Sequence, residues 1–370
     1  MTLKIMLTGD VHLGKKFSSY PEDTARELKQ SRFRSLKNVV DEACRRECNL
    51  LVIAGDLFDK VTIPEGDLLE AINILSEFSG DLVVVLPGNH DFAGVDLWDD
   101  FRRKSPADVV LLDKTKPYEL NRFDLEATIY PAPCDDRTSR ENNLDWIKQE
   151  DIKDARFKLG AAHGALKGIS PDMTDSYFSM RREELRELDI DLWLLGHTHI
   201  PLPKNVDENV QNEYIFNCGT PEPDGLDCSH EGQAWYIELE KDGSTKAIPV
   251  KTGEYRFIDI AREVNSEDDF ACLLQEVRQK EKAEKTVMRI KIVGRIPEAA
   301  YKKKQEYYRK FRGSVFHLQI LDDDLNLQLN RDKIAEDFPE GSFPYQVLEE
   351  LIGDERALEL AYELLQEVKE

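Results

Sequence analysis

Thiols, long apolar runs and positive charge are what this sequence has least of. Its six cysteines stand at 44, 48, 134, 218, 228 and 272 of 370 residues, with neither the dense even spacing of a disulfide framework nor the paired Cys-x2-Cys of a zinc ribbon. Reduced thiols are expected; Cys228 and His230, close after Cys218, come nearest to a thiolate metal site. No segment approaches the roughly 18 to 20 consecutive apolar residues of a membrane span. The opening MTLKIMLTGD turns polar too soon for a signal peptide, so a cytoplasmic protein without a membrane partner is expected. Lys and Arg number 50 against 73 Asp and Glu, a net charge of -23. That excludes a chain coating itself in nucleic acid, and leaves a phosphate-bearing partner to a local basic patch or to metal ions. Internal repeats and low-complexity runs are also missing.

Apolar residues make up 41% and charged residues 33%, and the length calls for one large domain followed by smaller ones. The stretch Leu50 to Asp59, LLVIAGDLFD, reads as a buried parallel strand that surfaces at Gly55 and delivers Asp56 at its carboxyl end. The run Leu3 to Thr8 ends similarly, in Gly9-Asp10-Val11-His12, where residues two apart share a side and could reach one ion. Phe33, Leu36, Val39, Val40 and Ala43 mark an amphipathic helix between them. A second helix, from about Glu65 to Phe78, leads to a strand over Leu82 to Leu86 and its exit Asn89-His90-Asp91. After a looser stretch over 92–155, a fourth strand, Phe157 to Ala162, closes on His163-Gly164. A helix from about Arg181 to Leu188 precedes a fifth strand, Ile190 to Leu195, which ends in Gly196-His197-Thr198-His199.

Of the seven histidines, His12, His90, His163, His197 and His199 lie at these exits, and only His230 and His317 do not. Turn chemistry accounts for Asp, Asn or Gly at any one strand end; it gives no reason to choose histidine repeatedly. Open α/β sheets gather ligands beyond the carboxyl ends of their strands, so these side chains are expected to converge. Aspartate, asparagine and imidazole without thiolate suit Mn, Fe or Zn. The supply is enough for two ions, the arrangement that clamps a phosphoester for in-line hydrolysis.

In order along the chain, Asp10-Val11-His12, Gly55-Asp56-Leu57-Phe58-Asp59, Gly88-Asn89-His90-Asp91, His163-Gly164 and Gly196-His197-Thr198-His199 resemble the five motifs of the calcineurin-like metallophosphoesterases. The resemblance implies two divalent ions, with manganese expected: one held by Asp10, His12, Asp56 and His199, the other by Asp56, Asn89, His163 and His197. It leaves His90 without a metal, to stabilise the transition state or protonate the leaving oxygen, and it assigns Asp59 to orient His90. The implied fold is α/β, α+β overall: a β-sandwich flanked by helices over 1–255, followed by a small α+β domain and a helical pair.

Protein phosphatases of this superfamily carry arginines after the second and third motifs, where this chain has Lys60-Val61 and Phe92-Ala93. The segments HLGKK, FRSLKNVVDEA and SYFSMRREELRELDIDLWLLGHTH instead resemble the SbcD-like DNA repair nucleases. That likeness implies a DNA exo- or endonuclease, a homodimer, with residues 256–330 as a capping domain that positions DNA. Residues 289–312 carry nine Lys or Arg against two Glu, net +7, interleaved with Tyr301, Tyr307, Tyr308 and Phe311, a mix suited to phosphate contact and stacking. Lys302, Lys303, Lys304 and Arg309 there, with Lys15 and Lys16 beyond the first motif, are the expected DNA contacts. The tail over 331–370 is net -8 and carries apolar residues at Val347, Leu348, Leu351, Leu358, Ala361, Leu365 and Val368. They are read as two helices too small for their own core, which dock on the chain itself or, by resemblance, on an SMC-like ATPase of the SbcC type. Asn217 to Gly225 stands where the family usually has a Pro-Gly-Ser-Pro turn, which marks a divergent branch. The alternative function is a small-molecule or cyclic-nucleotide phosphodiesterase on the same metal centre.

Overall fold

Every residue of Leu50–Ala54 and Leu82–Leu86 is buried, because alternate side chains of these strands enter two different layers. The computed structural model describes residues 2–150, 152, 155–171, 174–204 and 209–369; Met1 and Glu370, the outermost residues of the expected segments, lie outside the described residues. The first of two compact units ends at Phe257. Its elements are β1 (Leu3–Thr8), α1 (Glu22–Arg45), β2 (Leu50–Ala54), α2 (Glu65–Ser76), β3 (Leu82–Leu86), α3 (Asp96–Lys104), β4 (Val109–Leu111), β5 (Tyr118–Glu119) and β6 (Ala127–Ala132). They continue with α4 (Asp145–Gln149), β7 (Phe157–His163), α5 (Arg182–Glu187), β8 (Leu192–Gly196), β9 (Val210–Gln211), β10 (Ile215–Asn217), β11 (Gln233–Leu239) and β12 (Thr245–Lys251).

The five strands that end in candidate ligands are divided between two sheets. β1, β2 and β3 are mutually parallel within a seven-stranded sheet ordered β4-β3-β2-β1-β11-β12-β9, and β7 and β8 are parallel within a five-stranded sheet ordered β10-β8-β7-β6-β5. The inner faces meet through Ile5, Leu7, Val52 and Val84 from the first sheet and Ile129, Leu159 and Leu194 from the second. Met6, Leu51, Ile53 and Val85 face outward beneath Phe33, Leu36, Val40, Leu75 and Trp98 of the helices; Tyr130, Ala162, Trp193 and Leu195 face outward beneath Leu144, Ile147 and Leu185. This is a β-sandwich flanked by helices. Each such side chain contributes roughly 1.5–3 kcal/mol of burial, which keeps the strand ends fixed relative to one another. The stretch over 92–155 holds more structure than its weak pattern suggests, because α3 buries only Leu97, Trp98 and Phe101 and β4 and β5 are very short.

The second unit, Ile258–Glu370, builds a three-stranded sheet from β13 (Arg256–Glu263), β14 (Thr286–Ile296) and β15 (His317–Leu327), in that order. The helices Glu267–Arg278 and Glu298–Arg312 cover it with Phe270, Leu273, Val277, Tyr308 and Phe311. The tail differs from the expected pair of helices without a core. A further helix, Arg331–Asp337, starts where the Asn330 side chain accepts a hydrogen bond from Lys333 N. Together with Phe343–Glu350 and Glu355–Lys369 it encloses Ile334, Phe338, Leu348 and Leu358. On the last helix Leu360, Leu364 and Val368 remain 60%, 54% and 85% exposed. Among the described residues no helix is long and apolar enough to cross a membrane.

Candidate metal centre

β1, β2, β3, β7 and β8 all deliver polar side chains from their carboxyl ends, and the local backbone there is unusual. Asp10, His12, Asp56 and His197 have φ of 51°, 47°, 51° and 91°, left-handed conformations that cost about 1–3 kcal/mol each outside glycine. Hydrogen bonds between exits hold them: Asp10 N donates to Gly55 O at 3.0 Å and His12 N to Asp56 O at 3.0 Å. Gly55 itself has a φ of +94°, and a Cβ there would lie 2.0 Å from His163 Nδ1. Only glycine lets that imidazole close on the strand, where its Nδ1 donates to Ala54 O at 2.8 Å and leaves Nε2 to face inward.

The side chains form one cluster. His12 Nε2 lies 3.1 Å from His199 Nε2 and 3.7 Å from Asp56 Oδ2. His163 Nε2 lies 3.3 Å from Asp56 Oδ2 and 3.2 Å from Asn89 Oδ1, and His197 Nδ1 lies 3.0 Å from the same Asn89 oxygen. His199 Nε2 is 3.6 Å from Asp10 Oδ1. Three overlapping groups, Asp10 with His12 and His199, Asp10 with Asp56 and His163, and His12 with Asp56 and His90, have ligand atoms within 4.8 Å of one another. Asp56 thus stands between the two sides of the cluster.

His90 is anchored twice: its main-chain N donates to Asp56 Oδ1 at 2.8 Å and its Nδ1 to the main-chain oxygen of Asp59 at 3.1 Å. Asp59 therefore reaches His90 through its backbone, while its carboxylate faces His12 Nδ1 at 3.7 Å. A carbonyl accepting from Nδ1 fixes the ring and its tautomer. Asp91 is structural, its carboxylate accepting from Phe58 N at 2.9 Å and Gly88 N at 2.7 Å. Burial, helped by nearby Asp56, pushes its carboxyl up to about 8.

Burial raises the Asp10 and Asp59 carboxyls and drives the His12 imidazolium well below its usual value. Asp56 is held low against its burial by His163 and His12, so the buried carboxylates lean on imidazoles for counter-charge. His12 Nδ1 is buried without a hydrogen-bond partner. Converging carboxylate oxygens and imidazole nitrogens within 4.8 Å of one another fit divalent cations. The thiols do not join in. Cys218 Sγ lies 3.6 Å from Asp10 Oδ2, but burial keeps it protonated. His230 uses both ring nitrogens on backbone, accepting from Gly232 N at 3.1 Å and donating to His199 O at 2.9 Å.

Residues 3–201 match the calcineurin-like phosphoesterase family, described as Metallophos. The chain belongs to this family. Its members are metal-using hydrolases, and this chain is a metallophosphoesterase with the α/β fold of the group. It is 29% identical over 208 residues to YhaO of Bacillus subtilis (strain 168), an uncharacterized metallophosphoesterase, a match covering 53% of this chain and 48% of YhaO. It is 32% identical over 94 residues to Mre11 of Aeropyrum pernix, a DNA double-strand break repair protein, covering 25% of this chain and 22% of Mre11. The chain thus spans less than half the length of either curated relative. The crystal structure of TT1561 of Thermus thermophilus is similar with a TM-score of 0.41 and 11% identity, covering 67% of this chain and 99% of that one.

The expected DNA contacts are distributed differently from the candidate ligands. Lys15 is ion-paired with Asp224, and Lys16 is exposed. In the second unit Lys302 pairs with Glu298 at 2.6 Å, Lys303 with Glu267 at 2.8 Å and Lys304 with Asp322 at 3.1 Å. Arg309 and Arg312 are exposed and make no ion pair among the described residues. Two residues that matter to the centre were not singled out by the sequence. Arg32 is wholly buried, donating to Val11 O, to Asp10 O at 3.1 Å and to Glu222 O at 3.3 Å; an arginine at a position on α1 facing inward is the signal that could have found it. Asp224 carries none, since a loop brings it in.

Proposed function

We propose that this metallophosphoesterase is a manganese-dependent DNA nuclease of a divergent SbcD-like branch, cleaving phosphodiesters in DNA repair beside an SMC-like ATPase in the cytoplasm. The observation that carries the reading is His90. It has a ring nitrogen within 4.8 Å of ligand atoms of His12 and Asp56, and no arginine clamp for a phosphomonoester follows it or Asp59. Because Asp59 O takes the Nδ1 proton, Nε2 is the nitrogen left for the reacting phosphoester, and it gives a proton to the leaving oxygen from the doubly protonated ring, returning to the neutral Nδ1–H form. Bound divalent ions would supply the charge that holds the phosphate oxygens and activates water. Asp56 orients His90 through its main-chain N, and Arg32 and Asp91 fix the loops from which Asp10 and Asp56 reach inward.

The match to Mre11, named as a DNA double-strand break repair protein, supports DNA as the substrate. So do Arg309 and Arg312, cations left available for phosphate on a helix with aromatic neighbours. Exposed Leu360, Leu364 and Val368 support docking of the tail on the ATPase, and a homodimer belongs to the same reading. The test is cleavage of linear duplex and hairpin DNA with manganese or with chelator, alongside His90→Asn. Manganese-dependent cleavage that His90→Asn loses is expected; no such cleavage, also with an ATPase partner added, contradicts the nuclease. One observation favours the small-molecule phosphodiesterase: a cavity of about 620 Å³ beside the centre, lined by Tyr177, His197, His199, Asp224 and Asp227. Under that reading cyclic nucleotides are hydrolysed and DNA is not.

A further inference from the structure

The geometry points to Asp224 as the residue that positions His199 for metal binding, with Lys15 as its anchor. His199 has two ring nitrogens and the structure gives each a different neighbour. Nε2 faces Asp10 Oδ1 at 3.6 Å and His12 Nε2 at 3.1 Å, inside the cluster, while Nδ1 faces Asp224 Oδ1 at 3.4 Å on the other side of the ring. Asp224 has no place in the ligand clusters. A carboxylate behind a metal-bound imidazole takes the proton of the distal nitrogen, fixes the tautomer and raises the ring's basicity. The 3.4 Å separation lies just beyond the usual range of an N–H···O hydrogen bond.

Three features make this a built arrangement. The Asp224 side chain is 6% exposed and ion-paired to Lys15, which follows the first pair of ligands on the chain. The pair thereby ties the loop after β1 to the ring that comes from the loop after β8. The segment carrying Asp224 is itself pinned: Arg32 donates to Glu222 O at 3.3 Å, Thr220 Oγ1 lies 2.9 Å from Asp10 O, and the Glu222 carboxylate accepts from Glu254 N and Tyr255 N at 2.8 and 2.9 Å. The His199 main chain is held separately, its oxygen accepting from His230 Nε2 at 2.9 Å, so Asp224 has the ring alone to orient. Lys15 then serves as a counter-charge, not as a contact for nucleic acid.

The inference rests on the metal-centre reading but not on DNA as substrate. Its test is calorimetric titration of the 370-residue chain with Mn²⁺, comparing Asp224→Ala with the unmutated chain and checking both by metal-free thermal unfolding. A roughly 10–100-fold loss of affinity for one ion is expected, with the other retained. Equal affinities overturn the role of Asp224; no Mn²⁺ uptake by the unmutated protein overturns the metal centre itself. Should Asp224→Ala not fold, the unmutated protein decides. With ¹⁵N-labelled histidine and Zn²⁺ bound, and His199 assigned from the His199→Gln spectrum, its proton should sit on Nδ1 and the metal on Nε2. Metal on Nδ1 overturns the proposal.

Discussion

Charged side chains are dense in two parts of this molecule, and they are arranged in opposite ways. At the strand ends of the first unit Asp10, His12, Asp56 and His163 are all under 4% exposed, and their ligand atoms face one another within 4.8 Å in overlapping groups. Along Glu298–Arg312 in the second unit the charges are in water, and Lys302, Lys303, Lys304 and Lys310 each have a carboxylate within reach. The first cluster is costly unless something cationic joins it. The second is already satisfied, so its net charge overstates what it offers a partner. Density of charge therefore identifies neither site; burial together with the convergence of carboxylate and imidazole ligand atoms identifies the first.

Five substitutions sharpen that contrast. His90→Asn should lower kcat on a phosphodiester by roughly 10²–10⁴-fold, while Mn²⁺ affinity by calorimetry stays as it was; a parallel loss of metal would make His90 a ligand. Arg32→Met should destabilise the protein by about 3 kcal/mol in urea unfolding, because it strips the buried Val11 carbonyl of its guanidinium donor and leaves the carbonyls of Asp10 and Glu222 to share the single Thr220 hydroxyl. Gly55→Ala places a Cβ against His163 and should weaken Mn²⁺ binding by roughly 10–100-fold, as loss of a ligand's support does. The smallest effect is on DNA. Arg309→Ala should reduce the salt dependence of DNA binding by about 0.9 in log–log slope, and Lys303→Ala by less, since Glu267 already holds that lysine. Equal slopes for both would mean that the surface ion pairs open freely in the complex.

The candidate ligands stood out in the sequence because a side chain that a buried strand offers to an ion has to stand where the apolar run stops. Asp10, Asp56, Asn89, His163 and His197 all do so, and the structure collects them. The division of their strands between two sheets was not legible: five apolar residues in a row show that both faces are covered, but not which strand lies alongside. The antiparallel neighbour of β1 is β11, where Leu3 pairs with Leu239, a distance along the chain that no local pattern reports. Ion pairing was hidden for the same reason, since Lys304 finds Asp322 and Lys303 finds Glu267 only after the sheet forms. The helix Arg331–Asp337 did have a signal, Asn330 three residues before Lys333, but it opens a polar stretch with one buried residue, Ile334.

The central claim is that the strand ends form one centre for divalent ions that hydrolyses phosphodiesters. Its most direct test is hydrolysis of bis(p-nitrophenyl) phosphate by the 370-residue chain, stripped with chelator and then titrated with Mn²⁺ while bound metal is counted. The account predicts no hydrolysis by the stripped protein and activity that returns as two ions bind per chain. Hydrolysis that survives chelation, or two ions bound with no hydrolysis, would contradict it.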